Sequence, residues 1–158
     1  MMIILIMEHE EIITVTNIMT PLPLQVVNSL TNATNVSLIM KEYKIGSVIV
    51  IDTENHPIGI VTERDIVRRV VCERKNPSTT KVDSIMSKPV ITAKHTTAID
   101  KAINTMIKNK IRRLPIVKTG ILHGIITSTD LVKFSCKKEQ DRYKILKCLC
   151  RYHKYWEE

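Results

Sequence analysis

The apolar residues of this chain form two successive sets, and each set combines a helical pattern with a continuous apolar run. In the first set, apolar side chains recur at intervals of three and four over residues 33–43, and residues 47–51 are mostly β-branched. Residues 98–107 and 114–117 repeat this order. The first pattern predicts an amphipathic helix, and the second predicts a strand that is buried on both faces.

The two sets are copies of one unit, because short motifs also recur between them. Ile-Met-Thr at residues 18–20 returns 67 residues later as Ile-Met-Ser at 85–87. Gly-Ile-Val-Thr at 59–62 returns 65 residues later as Gly-Ile-Ile-Thr at 124–127. The offset changes by single residues in stretches of loop composition, where changes of length are tolerated.

Each copy predicts the element order strand, helix, strand, strand, helix, which is an α/β arrangement of the α+β kind. A unit of about 60 residues has a marginal core, so we expect the two copies to pack about a pseudo-twofold axis. Residues 76–80 have the composition of a linker. We therefore divide the chain into a first repeat with its N-terminal segment (1–76), a second repeat (77–136) and a C-terminal tail (137–158).

The motif Gly-apolar-apolar-Thr-x-x-Asp occurs in each copy, between the last predicted strand and the second helix. It contains Thr62 and Asp65 in the first copy, and Thr127 and Asp130 in the second. One interpretation is structural, because Thr and Asp at this spacing form a capping box. The other is functional, because the hydroxyl can bind phosphate and the carboxylate can accept two hydrogen bonds from a ribose diol. The two roles do not exclude each other.

These features in this order resemble a pair of CBS motifs, a family named for cystathionine β-synthase. The resemblance covers about residues 14–136 and rests on the Ile-Met-Thr/Ser openings, the apolar strands and the doubled Thr-x-x-Asp motif. It implies a Bateman module, in which two clefts between the motifs hold adenosine compounds such as AMP, ADP, ATP or S-adenosylmethionine.

The resemblance also assigns residues to the two clefts in a crossed arrangement. In the family, the Asp binds ribose, the Thr or Ser supports ribose or phosphate, and strand residues flank the adenine. Carried over to this chain, one cleft takes Thr20, Ile45, Gly46, Thr127 and Asp130, and the other takes Thr62, Asp65, Ser87, Ile111 and Arg112.

The two clefts are expected to differ in charge. Arg64 precedes Asp65, and Arg112 and Arg113 stand where the first copy has Gly46 and Ser47. Guanidinium groups suit bidentate binding of phosphate. We therefore expect the cleft with Asp65 to take the more anionic nucleotide, unless some of these arginines simply face solvent.

The composition predicts a basic protein with an intracellular location. The 158 residues carry 24 Lys and Arg against 16 Asp and Glu, a net charge of +8, which favours an anionic partner. The apolar start at residues 1–7 is too short for a spanning helix, which needs about 20 residues, and it lacks the features of a signal peptide. Such a start predicts an N-terminal strand or a dimer-packing segment. The four cysteines show no disulfide framework, so we expect a cytoplasmic protein with no membrane span.

The tail at 137–158 is predicted to be a basic amphipathic helix that continues from the second repeat. Its apolar stripe favours packing against the module or a dimer mate. Basic residues interleaved with Tyr and Trp leave nucleic-acid binding open, as well as binding to a membrane surface or a partner helix. Cys148, Cys150 and His153 lack the Cys-x-x-Cys spacing of a zinc knuckle, so no metal site is expected.

These observations together predict a regulatory module rather than an enzyme, since no nucleophile or carboxylate-pair pattern stands out. The module would bind an adenosine ligand, form a homodimer, as the resemblance implies, and act on a protein partner that the sequence does not identify. The alternatives are a nucleic-acid-associated regulator that uses the tail, and a structural dimer without a ligand.

Overall fold

The computed structural model describes residues 13–137, with side chains up to residue 134. The apolar start and almost all of the predicted tail helix, including Cys148, Cys150 and His153, lie outside the described residues. The strands are β1 (Thr20–Pro21), β2 (Val26–Val27), β3 (Ser47–Ile51), β4 (Pro57–Thr62), β5 (Ala93–Lys94), β6 (Arg113–Lys118) and β7 (Ile121–Thr127). The helices are α1 (Ala33–Tyr43), α2 (Glu63–Ile66), α3 (Ile99–Lys108) and α4 (Ser128–Lys137), with a π-helical continuation of α2 at Val67–Val71.

The order of elements confirms the predicted repeat, and the two copies agree in local detail. Helices α1 and α3 are each followed within two residues by a lysine with a left-handed backbone, Lys44 (φ 52°) and Lys110 (φ 53°). In each case the amide of the next residue, Ile45 or Ile111, donates to the carbonyl five residues earlier at 3.0 Å. This Schellman-type ending turns the chain sharply into β3 or β6.

The continuous apolar runs are buried as predicted. Three consecutive residues in the middle of β3, at 48–50, are buried, and so are three in β6, at 114–116. Strand β3 pairs with β2 in parallel and with β4 in antiparallel orientation, and β6 is placed in the same way between β5 and β7. Both runs are therefore central strands.

The two sheets exchange their outermost pieces. The opening segment of the first repeat forms β1, which pairs with β7 of the second repeat, Thr20 opposite Ile125. In the same way Ser87, in the opening segment of the second repeat, pairs with Ile60 of β4 through backbone hydrogen bonds of 2.9 and 3.2 Å. Each repeat therefore supplies an edge of the other repeat's sheet.

The hydrophobic cores follow the same exchange. Val15, in a 3₁₀ turn at Val15–Asn17, is fully buried in the core of the second repeat. Val82 and Ile85, in and after the corresponding turn at Val82–Ser84, are fully buried in the core of the first. Packing is thus not divided at one point along the chain, and the division at residue 76 stays a prediction.

A glycine lies in each strand at the place where the opening segment of the other repeat crosses it, because there is no space for a side chain there. A Cβ atom on Gly124 would lie 2.7 Å from Met19 Sδ and 2.8 Å from the carbonyl oxygen of Thr20. A Cβ atom on Gly59 would overlap the side chain of Met86, with its Cγ atom 2.9 Å away. The opening segments can therefore lie directly on the strands of the other repeat.

No helix within residues 13–137 is both long and apolar enough to cross a membrane.

We predict that Gly124→Ala lowers the free energy of unfolding by more than Gly59→Ala, within the range of about 1–3 kcal/mol that is typical of overpacking. The reason is that the new methyl group meets a backbone oxygen at Gly124 but only a flexible side chain at Gly59. Urea unfolding of both variants measures this. The double variant Gly59→Ala/Met86→Ala should lose less stability than the sum of the losses of the two single variants, because the shorter side chain leaves space for the new methyl group. A loss equal to that sum would show that the close approach of residue 59 to Met86 is not the cause.

Candidate functional site

Two clefts lie where the repeats exchange their opening segments, and each is lined by residues from both repeats. The first, of about 540 Å³, contains Thr20 and Ile45 from the first repeat and Thr127 from the second. The second, of about 380 Å³, contains Thr62 and Asp65 from the first repeat and Ser87 and Ile111 from the second. We call them the Thr127 cleft and the Asp65 cleft. The structure thus brings together the groups that the crossed arrangement predicts, except for Asp130.

Asp130 differs in position from its counterpart Asp65. Asp65 lines its cleft, whereas Asp130, which is hydrogen-bonded to Thr127, lines a separate depression of about 250 Å³. Asp65 is buried, at 8% exposure, and Asp130 is half-buried. The two repeats therefore present their carboxylates differently, although their sequence motifs are the same.

Both motifs form closed capping boxes. The Asp65 Oδ2 atom accepts hydrogen bonds from the Thr62 hydroxyl at 2.6 Å and from its amide at 2.9 Å, and the Asp65 amide donates to the Thr62 hydroxyl at 3.2 Å. Asp130 and Thr127 repeat this pattern at 2.6, 2.8 and 3.3 Å. The structural interpretation of the motif is therefore correct for both copies. The cap uses only Oδ2 of each carboxylate, so it leaves Oδ1 for other contacts.

The Oδ1 atom of Asp65 lies beside a guanidinium group. Arg69 Nη1 is 3.5 Å from this oxygen and donates a hydrogen bond of 2.5 Å to the carbonyl oxygen of Ile85. The position that corresponds to Arg69 in the second repeat is Phe134. The sequence motif does not reveal this contact, because Ile85 approaches Arg69 only through the exchange of opening segments.

The two clefts share one wall, made of Gly46, Arg112 and Arg113. A Cβ atom on Gly46 would lie 2.7 Å from Arg113 Nη2, so the glycine allows the guanidinium to lie across the strand. Because Arg112 and Arg113 line both clefts, they do not give the Asp65 cleft the distinct charge that the sequence suggested.

Two cations do distinguish the Asp65 cleft. Arg64 and Lys110 line this cleft and not the Thr127 cleft, and Glu63 adds a carboxylate to the same wall. Lys110 was not among the predicted residues. Lys110 has a left-handed backbone just after α3 and turns the chain toward β6. No side-chain motif in the sequence predicts that this residue lines the cleft.

The Thr127 cleft contains an aromatic residue from the C-terminal end of α1. Tyr43, at the end of α1, lines this cleft and is 50% exposed. The corresponding residue of the second repeat is Asn109. A flat apolar ring beside Ile45 and Ile49 suits a planar heterocycle, so the two clefts also differ in their apolar walls.

Among the side chains that the structure describes, no group of three or more His, Cys, Asp or Glu residues could hold a metal ion. Cys72 is a free and exposed thiol.

A family model for the CBS domain matches the chain twice, over residues 15–72 and 82–137. Among curated proteins, an uncharacterised protein of Methanopyrus kandleri is 42% identical over 102 residues, which make up 64% of this chain and 52% of that protein. The chain spans about half the length of the first curated relatives it matches.

Solved structures show the same architecture. A conserved CBS domain protein of Thermoplasma acidophilum is 25% identical, with a TM-score of 0.75 over 89% of this chain and 76% of that chain. A CBS domain pair in complex with 5′-methylthioadenosine and S-adenosyl-L-methionine is 26% identical, with a TM-score of 0.72 over 81% of this chain and 100% of that chain.

We predict that Thr62→Val lowers the free energy of unfolding by about 1 kcal/mol, the usual effect of losing an N-cap hydroxyl. The matched change Thr62→Ser keeps the hydroxyl that bonds to Asp65 and should lose less. Urea unfolding with both variants compares them directly. Equal stability of the Val and Ser variants would show that the capping box contributes nothing measurable.

Proposed function

Because the chain belongs to the CBS domain family, as a tandem pair of CBS domains, we propose that it is a regulatory module that binds an adenosine-containing ligand between its repeats. The observation that carries this proposal is the Asp65 cleft. The carboxylate of Asp65 and the hydroxyl of Thr62, from the first repeat, line this cleft. The hydroxyl of Ser87 and the apolar side chain of Ile111, from the second repeat, line it as well. The complex of a related CBS domain pair with two adenosine compounds supports the choice of ligand class.

Each group has a role in the proposal that follows from its chemistry. The Oδ1 atom of Asp65 accepts hydrogen bonds from the ribose diol, since Oδ2 is already engaged by Thr62. Ile111 packs against the adenine ring, and Ser87 provides a hydroxyl near the ribose or phosphate. Arg64, at the rim of the cleft, pairs with phosphate.

The Thr127 cleft takes its ligand in a different way under this proposal. Tyr43 and Ile45 hold the adenine, and Thr20 and Thr127 supply hydroxyls. Thr127 lines this cleft, whereas Asp130 lines a separate depression, so a ribose in this cleft contacts the Thr127 hydroxyl rather than the Asp130 carboxylate. We therefore assign the weaker ribose contact to this cleft.

The proposed mechanism is a shift between two populations of the module. A ligand that contacts both repeats favours the packing in which both walls of its cleft are correctly placed, and a protein partner responds to that packing. The proposal includes a homodimer and a cytoplasmic location, and it assigns no catalytic step to the chain.

We predict that at least one compound among AMP, ADP, ATP, S-adenosylmethionine, 5′-methylthioadenosine and NAD raises the melting temperature of the full chain. A ligand at 100 times its dissociation constant should stabilise the fold by about 2.7 kcal/mol. A thermal-shift panel followed by calorimetry measures this, with guanosine compounds as controls. No shift with any adenosine compound would favour the structural dimer instead.

We predict that the Asp65 cleft binds the more anionic ligand, because Arg64 and Lys110 belong to it alone. Calorimetry with ATP and with 5′-methylthioadenosine, on Asp65→Ala and Tyr43→Ala variants, compares the clefts, because each change removes a side chain that lines one cleft only. Asp65→Ala should reduce affinity for ATP more than affinity for 5′-methylthioadenosine, and Tyr43→Ala should not show this preference. Equal losses in the two variants would contradict the assignment.

A further inference from the structure

Arg69 connects the Asp65 cleft to the segment that the second repeat contributes to the first core. Its Nη1 atom lies 3.5 Å from Asp65 Oδ1 and donates a hydrogen bond of 2.5 Å to the carbonyl oxygen of Ile85. Asp65 and Arg69 are four residues apart along a helical segment, so their side chains lie on one face. One guanidinium group therefore contacts both a carboxylate of the cleft and the backbone of the other repeat.

The segment that Arg69 holds leads directly into the opposite wall of the same cleft. Ile85 is fully buried in the first core. Ser87, two residues later, is bonded to Ile60 through both of its backbone groups and lines the Asp65 cleft. A contact that fixes the Ile85 carbonyl therefore also limits the movement of Ser87 relative to Asp65.

Among the described side chains, the second repeat has no equivalent of this contact. At the position equivalent to Arg69 it has Phe134, which packs against the second core. A depression of about 250 Å³ lies beside Asp130 and Ile18, the counterparts of Asp65 and Ile85, and is also lined by Asn17, Lys133 and Phe134. The same corner is thus bridged by an ion pair and a hydrogen bond in one repeat and is a cavity in the other.

We propose, on the basis of the function proposed above, that Arg69 is a positioning residue that couples the Asp65 cleft to the opening segment of the second repeat. It orients Oδ1 of Asp65 toward the ligand and holds Ile85, so that a ligand in this cleft stabilises the pairing of Ser87 with Ile60. Within the residues that the structure describes, the Thr127 cleft has no such connection. Binding of a ligand in the Asp65 cleft therefore strengthens the packing of the two repeats against each other.

The geometry explains why an arginine suits this role. The carboxylate of Asp65 is fixed at Oδ2 by Thr62, and a cation at Oδ1 fixes its plane while leaving lone-pair directions open. The guanidinium group has several N–H donors in a rigid fork, so it can hold a carbonyl and a carboxylate at the same time. A lysine has one ammonium group at the end of a flexible chain and holds two such partners less well.

Hydrogen exchange and calorimetry on the full chain test the coupling. The variants are Arg69→Met and the control Arg68→Met, which removes the same charge from an exposed neighbour. AMP and 5′-methylthioadenosine are the probes. A Tyr43→Ala background, which removes an aromatic wall of the Thr127 cleft, reports the Asp65 cleft, and an Asp65→Asn background reports the Thr127 cleft. Arg69→Met should weaken binding in the Asp65 cleft by about tenfold, the order expected for one charge-assisted contact, and leave the Thr127 cleft unchanged.

The exchange readout separates coupling from a loss of stability. In the unmodified chain, either probe should slow exchange of the Ile60 and Ser87 amides, and in Arg69→Met this protection should be lost. Arg69→Lys should recover part of the affinity. Equal effects of Arg69→Met and Arg68→Met, or equal losses in both clefts, would overturn the proposal.

The two proposals fail in different ways. If neither probe binds the unmodified chain, the proposed ligand class is wrong. The exchange comparison without ligand still applies, since Arg69→Met should speed exchange of the Ser87 amide more than Arg68→Met does. Unchanged exchange in that comparison overturns the inference about Arg69 alone.

Discussion

The backbone of each repeat lies directly on a strand of the other, and the remaining features of the molecule depend on this close approach. It favours glycine at positions 59 and 124, because a Cβ atom at either position would meet the opposing segment. It also moves Val15 and Val82 into the core of the opposite repeat. Both clefts lie beside these crossings, so their walls always come from two repeats, and a molecule bound in a cleft contacts both.

The capping boxes show how a structural and a functional role can use one pair of residues. A capping box needs one carboxylate oxygen and one hydroxyl, and it holds both side chains in a fixed rotamer. The second oxygen of Asp65 is then presented at a defined place without further support from the ligand. This kind of preorganisation lowers the entropy that binding would otherwise lose. The cap is thus a precondition of the proposed site and does not compete with it.

Local patterns in the sequence predicted the elements well, because local chemistry decides them. The apolar intervals over 33–43 correspond to α1, and the β-branched run at 47–51 corresponds to β3. The first strand of each repeat was the least clearly predicted element, since β2 and β5 have only two residues each. These short strands depend on pairing with β3 and β6, which the sequence alone does not show.

Contacts between the repeats were predicted only where the family resemblance supplied them, and differences between the clefts were not. Three such differences depend on the relative placement of two segments far apart in sequence. They are the position of Asp130 outside the Thr127 cleft, the wall of Arg112 and Arg113 that both clefts share, and the contact of Arg69 with Ile85. The exchange of opening segments also has an evolutionary meaning. A chain with a single repeat would have to exchange this segment with a second identical chain, as a twofold symmetric dimer. Joining two copies in one polypeptide makes that assembly independent of protein concentration, and it allows the two copies to have different sequences. Arg69 and Phe134, at equivalent positions, are a difference that two copies in one polypeptide can carry and two identical chains cannot.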